Sequence, residues 1–291
     1  MKLVLGTAQF GLNYGVSNTS GKTLECQVSE ILDLALKSGI DTLDTARSYG
    51  DSEKVIGKLT NNDKWNIITK TPHFSGEKIS KEQLKFMDVA FKESLFDLRK
   101  KSIDTLLFHS ADDLLKPGGG HLFKKIQQLQ ESGFINKIGV SVYTSKQIDY
   151  ILDHYKVDII QLPISILDQR LIISEHLKKI KQYKIEIHAR SVFLQGLLLM
   201  PMHTIPSYFS KIYNNIEGFS SCASSLALSN IELALGFIHN IDEIDKILIG
   251  VNTIDQLSEI IDASTVKINQ EKYSNLAVTD VAYVNPSNWK L

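Results

Sequence analysis

The chain has 291 residues, about twice the usual length of one domain but within the range of a single α/β barrel. A formal net charge of -1 and the lack of any lysine- and arginine-rich block argue against a nucleic-acid partner. The most apolar stretch, Ser191 to Met202, is interrupted by Gln195, Gly196 and Pro201 and is too short for a membrane span. The N-terminal apolar run is too short for a signal peptide. We therefore expect a cytoplasmic protein without a membrane partner.

Strand-like and helix-like segments alternate along the chain. The predicted strands are Leu3 to Leu5, Ile40 to Leu43, Trp65 to Thr69, Ile103 to Phe108, Lys137 to Ser141, Asp158 to Leu162, Glu186 to Arg190 and Lys246 to Ile249. The predicted helices are Leu24 to Lys37, Ser52 to Leu59, Ser80 to Leu98, His121 to Glu131, Lys146 to Tyr155, Leu171 to Tyr183, Ser221 to His239 and Ile254 to Asp262. Longer loops are expected from Gly6 to Gly21 and from Leu198 to Ser220.

These segments form eight successive strand-helix units, and the strands are continuously apolar, as expected for strands buried on both faces. Residues 1-263 are therefore predicted to form a single (β/α)₈ TIM barrel, with 264-291 as a C-terminal tail packed on it. The G-x-G-x-x-G phosphate loop of an open doubly wound sheet is missing from Gly6 to Gly15. In such a barrel the active site lies at the carboxyl ends of the strands.

Polar side chains stand at or just after the ends of three early strands. Asp44 follows the second strand, Lys70 ends the third and His109 ends the fourth, while Tyr49 lies in the loop after Asp44. The phenol of tyrosine has a pKa of about 10, and a nearby cation lowers it. Each residue alone has an ordinary structural interpretation as a cap, a loop anchor or a surface group. Together they predict one catalytic cluster.

The segment Asp44 to Gly50 reads D-T-A-R-S-Y-G and is followed, in order, by Lys70 and His109. With this motif the chain resembles the aldo-keto reductase family from Gly6 to Glu259. The resemblance implies reduction of an aldehyde or ketone by hydride from a nicotinamide cofactor, usually NADPH, with NADH not excluded. It implies Tyr49 as general acid, Lys70 as the cation that lowers the pKa of the phenol, Asp44 as the partner of Lys70, and His109 as a hydrogen-bond donor to the carbonyl oxygen.

The same resemblance implies a cofactor site at the remaining strand ends. Ser141 and Gln161 match residues that hold the nicotinamide carboxamide, but Val142 stands where asparagine is usual. The segment after the seventh strand resembles a pyrophosphate-binding loop. The expected cofactor-binding residues are Gly6, Thr7, Ser141, Gln161, Arg190, Ser191, Leu194, Gly196, Gly250, Asn252, Gln256 and Glu259.

Two departures from the family pattern lead to hypotheses. Arg190 occupies the position where the family stacks an aromatic ring on the nicotinamide, so it is expected to favour the neutral reduced ring over the cationic oxidised ring. Gly250 and Gln256 stand where the family grips the 2′-phosphate with lysine and arginine. We therefore expect NADPH to be used with modest discrimination against NADH.

Other function classes remain open from the sequence. The chain is alternatively a nicotinamide-binding regulatory subunit with little turnover, or a barrel lyase that uses Lys70 as a Schiff-base nucleophile. Cys26 and Cys222 and the histidines besides His109 show no metal-ligand spacing, so no metal site is predicted. The partner is expected to be a small-molecule carbonyl substrate, and a short tail favours an open pocket for a polar or bulky one. The sequence gives no prediction of oligomeric state.

Overall fold

The computed structural model describes residues 2-60, 64-266, 268 and 270-289. Within them, eight parallel strands form a closed barrel in sequence order, and the last strand pairs with the first. The strands are β1 (Leu3–Gly6), β2 (Thr42–Asp44), β3 (Asn66–Lys70), β4 (Ile103–Phe108), β5 (Ile135–Ser141), β6 (Ile159–Pro163), β7 (Glu186–Arg190) and β8 (Lys246–Gly250). The predicted (β/α)₈ TIM barrel is confirmed.

Helices and short 3₁₀ segments surround the barrel. The helices are α1 (Ala8–Gly11), α2 (Glu25–Lys37), α3 (Ser52–Leu59), α4 (Lys81–Asp97), α5 (Asp112–Leu115), α6 (Gly119–Glu131), α7 (Ser145–His154), α8 (Arg170–Ile173), α9 (His176–Gln182), α10 (Tyr213–Ser225), α11 (Asn230–His239), α12 (Ile254–Ala263) and α13 (Val281–Val284). The 3₁₀ segments are Leu194–Leu199, Met202–Thr204, Ser207–Ile212, Gln270–Leu276 and Pro286–Asn288.

Two predicted helices are each broken in the structure. The expected helix from Ser221 to His239 is instead α10 and α11, because Ser229 starts a new helix by accepting a hydrogen bond from the Glu232 amide, and Glu232 accepts one from the Ser229 amide in return. The expected helix from Leu171 to Tyr183 breaks at Glu175, whose φ is 57°. The first break depends on side-chain capping and the second on a left-handed backbone conformation, and the apolar periodicity reveals neither.

The two predicted long loops also contain regular structure. Helix α1 lies in the loop from Gly6 to Gly21, and the loop from Leu198 to Ser220 contains 3₁₀ turns and the first part of α10. Helix α5, after β4, was not expected. Residues 267, 269, 290 and 291 of the predicted tail, and residues 1 and 61-63 of the predicted barrel, lie outside the described residues.

The core has two parts. The large cluster lies between the strands and the helices, while Ile68, Leu107 and Ile159 form a separate buried cluster on β3, β4 and β6. Side chains two residues apart on a strand point to the same face. Lys70, His109 and Gln161 each follow one of these three residues by two positions, so they continue the same inner face toward the carboxyl end of the barrel.

The tail packs back onto the barrel through its buried side chains. Tyr273, Leu276, Val278 and Val284 are buried, and the Val278 amide donates to the Leu167 carbonyl. Over the described residues, no single helix is both long enough and apolar enough to span a membrane. One pair of helical segments, Ser207–Ser225 and Asn230–His239, meets the length and composition criteria together, but the pair is bent by 92°.

Candidate active site

A buried ion pair lies at the centre of the barrel mouth. Lys70 Nζ lies 2.5 Å from Asp44 Oδ1 and also donates to the Thr45 carbonyl at 2.8 Å. Both side chains are at most 3% exposed. The second carboxylate oxygen, Asp44 Oδ2, accepts a hydrogen bond from Gln161 Nε2 at 2.8 Å. Gln161, expected as a cofactor ligand, thus holds the Asp44 carboxylate in place.

Thr7 supports the same strand end. Its amide and hydroxyl both donate to the Asp44 carbonyl, at 2.9 and 3.0 Å, and Ser52 Oγ donates to Thr7 Oγ1 at 2.8 Å. Thr7 is fully buried, and these bonds account for its position. The structure therefore brings this expected cofactor residue to the main chain of Asp44, where it fixes the start of the Tyr49 loop.

The Tyr49 ring covers the Lys70 ammonium. Lys70 Nζ lies 5.0 Å from the ring centroid, within the range of a cation–π contact. The pKa of Tyr49 is raised above its ordinary value, chiefly by burial and next by the Asp44 carboxylate, while Arg190 is the cation that lowers it. The expectation that Lys70 makes the phenol more acidic stays a prediction.

Burial also changes the proton affinity of the neighbouring groups. It lowers the pKa of the Lys70 ammonium, and the Asp44 carboxylate opposes that lowering. The pKa of His109 falls to about 2, first because the ring is buried and then because Lys70, His73 and Arg190 lie nearby. His109 is therefore a neutral imidazole at physiological pH. Its ring meets the Tyr49 ring edge-on at 6.0 Å between centroids.

A second buried carboxylate holds the Tyr49 loop and was missed in the sequence. Glu53, 1% exposed on α3, accepts hydrogen bonds from Thr69 Oγ1 at 2.6 Å and Ser94 Oγ at 3.0 Å. Arg47, within the Tyr49 loop, lies 3.3 Å from Glu53 and 2.5 Å from Asp97. Glu53 thereby connects that loop to the residue before Lys70. The available signal was its position three residues before Ile56, on the inward face of α3.

Arg190 projects from the end of β7 into the same mouth. Its Cζ lies 4.1 Å from the centroid of the Tyr143 ring, and Nη2 donates to the Val142 carbonyl at 3.1 Å. It is half-buried and forms no ion pair with a carboxylate of the described residues. Tyr143 was not among the predicted site residues.

The β7 loop has an unusual backbone. Ser191, Leu194 and Gly196 have φ values of 61°, 47° and 91°, in the left-handed region. The loop from β1 crosses it, because the Val16 amide donates to the Gln195 carbonyl at 3.0 Å and Ser17 packs on Gly196. Turns of this kind expose successive amide groups, which is the usual basis of anion binding by main chain.

The end of β8 lies next to the end of β1. Gly6 and Gly250 are paired in register, so neither strand end carries a side chain, and the Gln9 amide lies against Gly250. Asn252 donates to the Gly21 carbonyl at 3.3 Å, and the Gln256 side chain accepts from the Asn252 amide at 2.7 Å. Gln256 and Glu259 are both exposed on α12. This side of the mouth is built mainly from main chain and neutral amides.

Comparison with known proteins decides the family. A sequence profile of the Aldo/keto reductase family matches residues 2–279. The chain belongs to the aldo/keto reductase family. Over 156 residues it is 29% identical to the oxidoreductase sirO of Leptosphaeria maculans. That match covers 51% of this chain and 45% of sirO, which is less than half of the length of that relative.

Solved structures of aldo/keto reductases share the fold. An aldo-keto reductase from Bacillus halodurans, solved in its holo form, superposes with a TM-score of 0.76 at 20% identity, covering 96% of this chain and 93% of the other. The glycerol dehydrogenase of Gluconobacter oxydans gives a TM-score of 0.71 at 21% identity, covering 98% and 92%. At these identities the likeness concerns the fold alone.

The donor set of this aldo/keto reductase suits a nicotinamide dinucleotide. Ser141 and Gln161 are register partners on β5 and β6, which places a hydroxyl beside an amide at the inner end of the barrel. The left-handed turns after β7 and the N-terminus of α12 supply groups that attract phosphate. Within residues 2-60, 64-266, 268 and 270-289, no group of three or more His, Cys, Asp or Glu side chains is arranged to hold a metal ion.

Proposed function

We propose that this protein reduces an aldehyde or ketone to an alcohol with NADPH as the hydride source, and that Tyr49 is the general acid. The observation that carries the proposal is the convergence of Asp44, Tyr49, Lys70 and His109 at one end of the barrel, with the Tyr49 ring 5.0 Å from the Lys70 ammonium. Family membership supports it. NADH is the alternative cofactor.

Ser141, Gln161, Arg190 and the β7 loop would hold the cofactor, which supplies a hydride to the carbonyl carbon when it is bound. The carbonyl oxygen then carries negative charge and takes a proton from the Tyr49 hydroxyl. An alkoxide is a far stronger base than a phenolate, so Tyr49 is a competent acid even with its pKa raised. That raised pKa keeps the phenol protonated as the pH rises. Lys70 and Arg190 stabilise the phenolate that remains.

His109 would donate a hydrogen bond to the carbonyl oxygen as a neutral imidazole. A positively charged imidazole would be a stronger donor, but Lys70 and Arg190 already make the mouth positive. A neutral ring donates without adding charge. Orientation of the carbonyl against the cofactor then contributes the part of the rate enhancement that does not come from proton transfer.

One assay separates the reductase from the two alternative functions. The protein is incubated with NADPH or NADH and a generic aromatic aldehyde, and loss of reduced nicotinamide and formation of the alcohol are both followed. Alcohol formed in equal amount to cofactor oxidised supports the reductase. Borohydride trapping of substrate on Lys70 without nicotinamide would instead establish a Schiff-base lyase. Tight cofactor binding without turnover of any aldehyde would favour a regulatory subunit.

A further inference from the structure

His73, in the loop after β3, has its side chain stacked on the catalytic histidine. The imidazole rings of His73 and His109 lie 4.3 Å apart between centroids, with an angle of 27° between their planes. His73 itself is exposed, whereas His109 is half-buried. The His73 ring therefore stands between one face of His109 and the solvent.

The main chain around His73 is fixed. Pro72 and Phe74 are both buried, and the Phe74 carbonyl accepts a hydrogen bond from Lys116 Nζ at 2.9 Å. The ring of Pro72 also restricts its own φ. Because both flanking residues are anchored, the direction of the His73 Cα–Cβ bond is set by the fold.

Three further contacts hold His109 in place. The Tyr49 ring meets it edge-on, Ser48 Oγ lies 3.4 Å from Nδ1, and the His109 amide donates to Thr71 Oγ1 at 3.1 Å. The stack with His73 thus closes a face that these contacts leave uncovered.

Several charged or titratable groups from different elements act on this ring. Lys70 on β3, His73 on the following loop and Arg190 on β7 all oppose protonation of His109, and Tyr49 on the β2 loop touches its edge. Asp113, buried on α5, is electrostatically coupled to His73. Burial is the largest cause of the lowered pKa of His109, ahead of any of these charges.

We infer that His73 is a positioning residue: by covering the outward face of His109, it keeps that imidazole dry, uncharged and turned toward Tyr49. The inference rests on the proposed function, in which His109 binds the carbonyl oxygen. A neutral imidazole has one donor and one acceptor nitrogen. In the tautomer that accepts at Nδ1 from Ser48, the proton lies on Nε2, where a carbonyl oxygen can accept it.

Two substitutions separate the covering ring from its charge. His73→Phe keeps an aromatic ring over His109 but removes the titratable group, whereas His73→Ala removes both. The imidazole resonances of His109, identified by loss in His109→Gln, are followed by NMR against pH in the free protein. His109 is expected to remain uncharged above about pH 4 in wild type and His73→Phe. In His73→Ala it is expected to titrate nearer its ordinary pKa of about 6.5.

The kinetic counterpart is the acid side of the pH profile. With an aromatic aldehyde as substrate, the pH dependence of kcat/KM below about pH 7 is expected to differ between His73→Ala and wild type, whereas His73→Phe keeps the wild-type profile. An unchanged His109 titration in His73→Ala overturns the inference, even if KM changes, because His73 would then be only a pocket wall. His73→Gln provides the same comparison if the alanine variant does not fold.

The NMR readout needs no turnover, so the two proposals can fail separately. A protein that reduces no aldehyde but shows the His73-dependent titration contradicts the proposed function and leaves the shielding of His109 established. A protein that reduces aldehydes while His109 titrates identically in all variants contradicts only the role of His73.

Discussion

The two halves of the barrel mouth are built in different ways. At the ends of β2 to β4, the site consists of side chains: a buried ion pair between Asp44 and Lys70 with Tyr49 over it and His109 beside it. At the ends of β7 and β8, it consists of turns with positive φ, glycine strand ends and neutral amides. The first half is dry and charged, whereas the β8 end is exposed.

This difference separates the chemistry from cofactor choice. A residue of a buried ion pair tolerates substitution poorly, because removing one charge leaves its partner unpaired in a low-dielectric site. Main-chain donors bind phosphate with little dependence on side chains. We therefore expect substitutions in the first half to have large effects on stability or turnover, and substitutions in the second half to change cofactor preference by small factors.

The largest effect is expected from breaking the buried ion pair. Asp44→Asn or Lys70→Met should each lower the free energy of unfolding by about 3–5 kcal/mol, because each leaves a buried charge without its partner. The double variant should be less destabilised than the sum of the two. Chemical denaturation of the free protein measures all three.

The exposed pair Lys58–Glu25 is the matched control for that experiment. Its side chains are 57% and 49% exposed, so Lys58→Met should change the free energy of unfolding by less than about 1 kcal/mol. Additive effects of Asp44→Asn and Lys70→Met would show that the two residues do not act as a pair.

A smaller loss of stability is expected at the second buried carboxylate. Glu53→Gln keeps the shape of the side chain but weakens the bonds from Arg47, Thr69 and Ser94, which should lower the free energy of unfolding by about 1–3 kcal/mol. Turnover should fall too, because Glu53 connects the Tyr49 loop to β3. Glu93→Gln, at the exposed carboxylate that also contacts Arg47, is the control and should leave turnover unchanged.

Arg190, at the end of β7, is a charged side chain in the second half of the barrel mouth. On the hypothesis that Arg190 repels an oxidised nicotinamide ring, Arg190→Tyr should raise the ratio of oxidised to reduced cofactor affinity by about 5- to 10-fold. Fluorescence titration with both forms measures that ratio. An unchanged ratio would place Arg190 outside the cofactor site. Arg190→Lys keeps the charge without the planar group and separates charge from stacking.

The smallest effect is expected at the β8 end. The expected phosphate-gripping cations are replaced by Gly250 and Gln256, so NADPH should be preferred over NADH by less than about 10-fold in kcat/KM. Gln256→Arg should increase that preference by about 2- to 5-fold, the contribution of one exposed ion pair. Steady-state kinetics with each cofactor checks both values, and a clear preference of the wild type for NADH would refute the choice of NADPH.

The comparison also explains which features could be predicted from the sequence. The strand order and the convergence of Asp44, Tyr49, Lys70 and His109 follow from apolar runs that end in distinctive side chains, because strand ends in a parallel barrel must meet. Gln161 and Thr7 were expected at the cofactor, yet both also hold Asp44. Hydrogen bonds between residues 117 and 37 positions apart leave no local signal.

Other features depend on local hydrogen bonds and burial, which the periodicity of apolar residues does not show. The break between α10 and α11 arises from a Ser229–Glu232 capping box inside an apolar segment. The raised pKa of Tyr49 could not be predicted either, because it depends on burial and on the nearby Asp44 carboxylate. Residue types identify the members of a site, whereas the balance of charge among them requires the packed structure.

The central claim is that the Tyr49 hydroxyl protonates the product oxygen beside Lys70. Single-turnover reduction of an aromatic aldehyde by the preformed cofactor complex of Tyr49→Phe tests it most directly, because product release does not contribute. The rate should fall by about 10²–10⁴-fold, the usual contribution of a positioned acid, while cofactor affinity stays within about 2-fold of wild type. A single-turnover rate in Tyr49→Phe close to that of wild type would contradict the account.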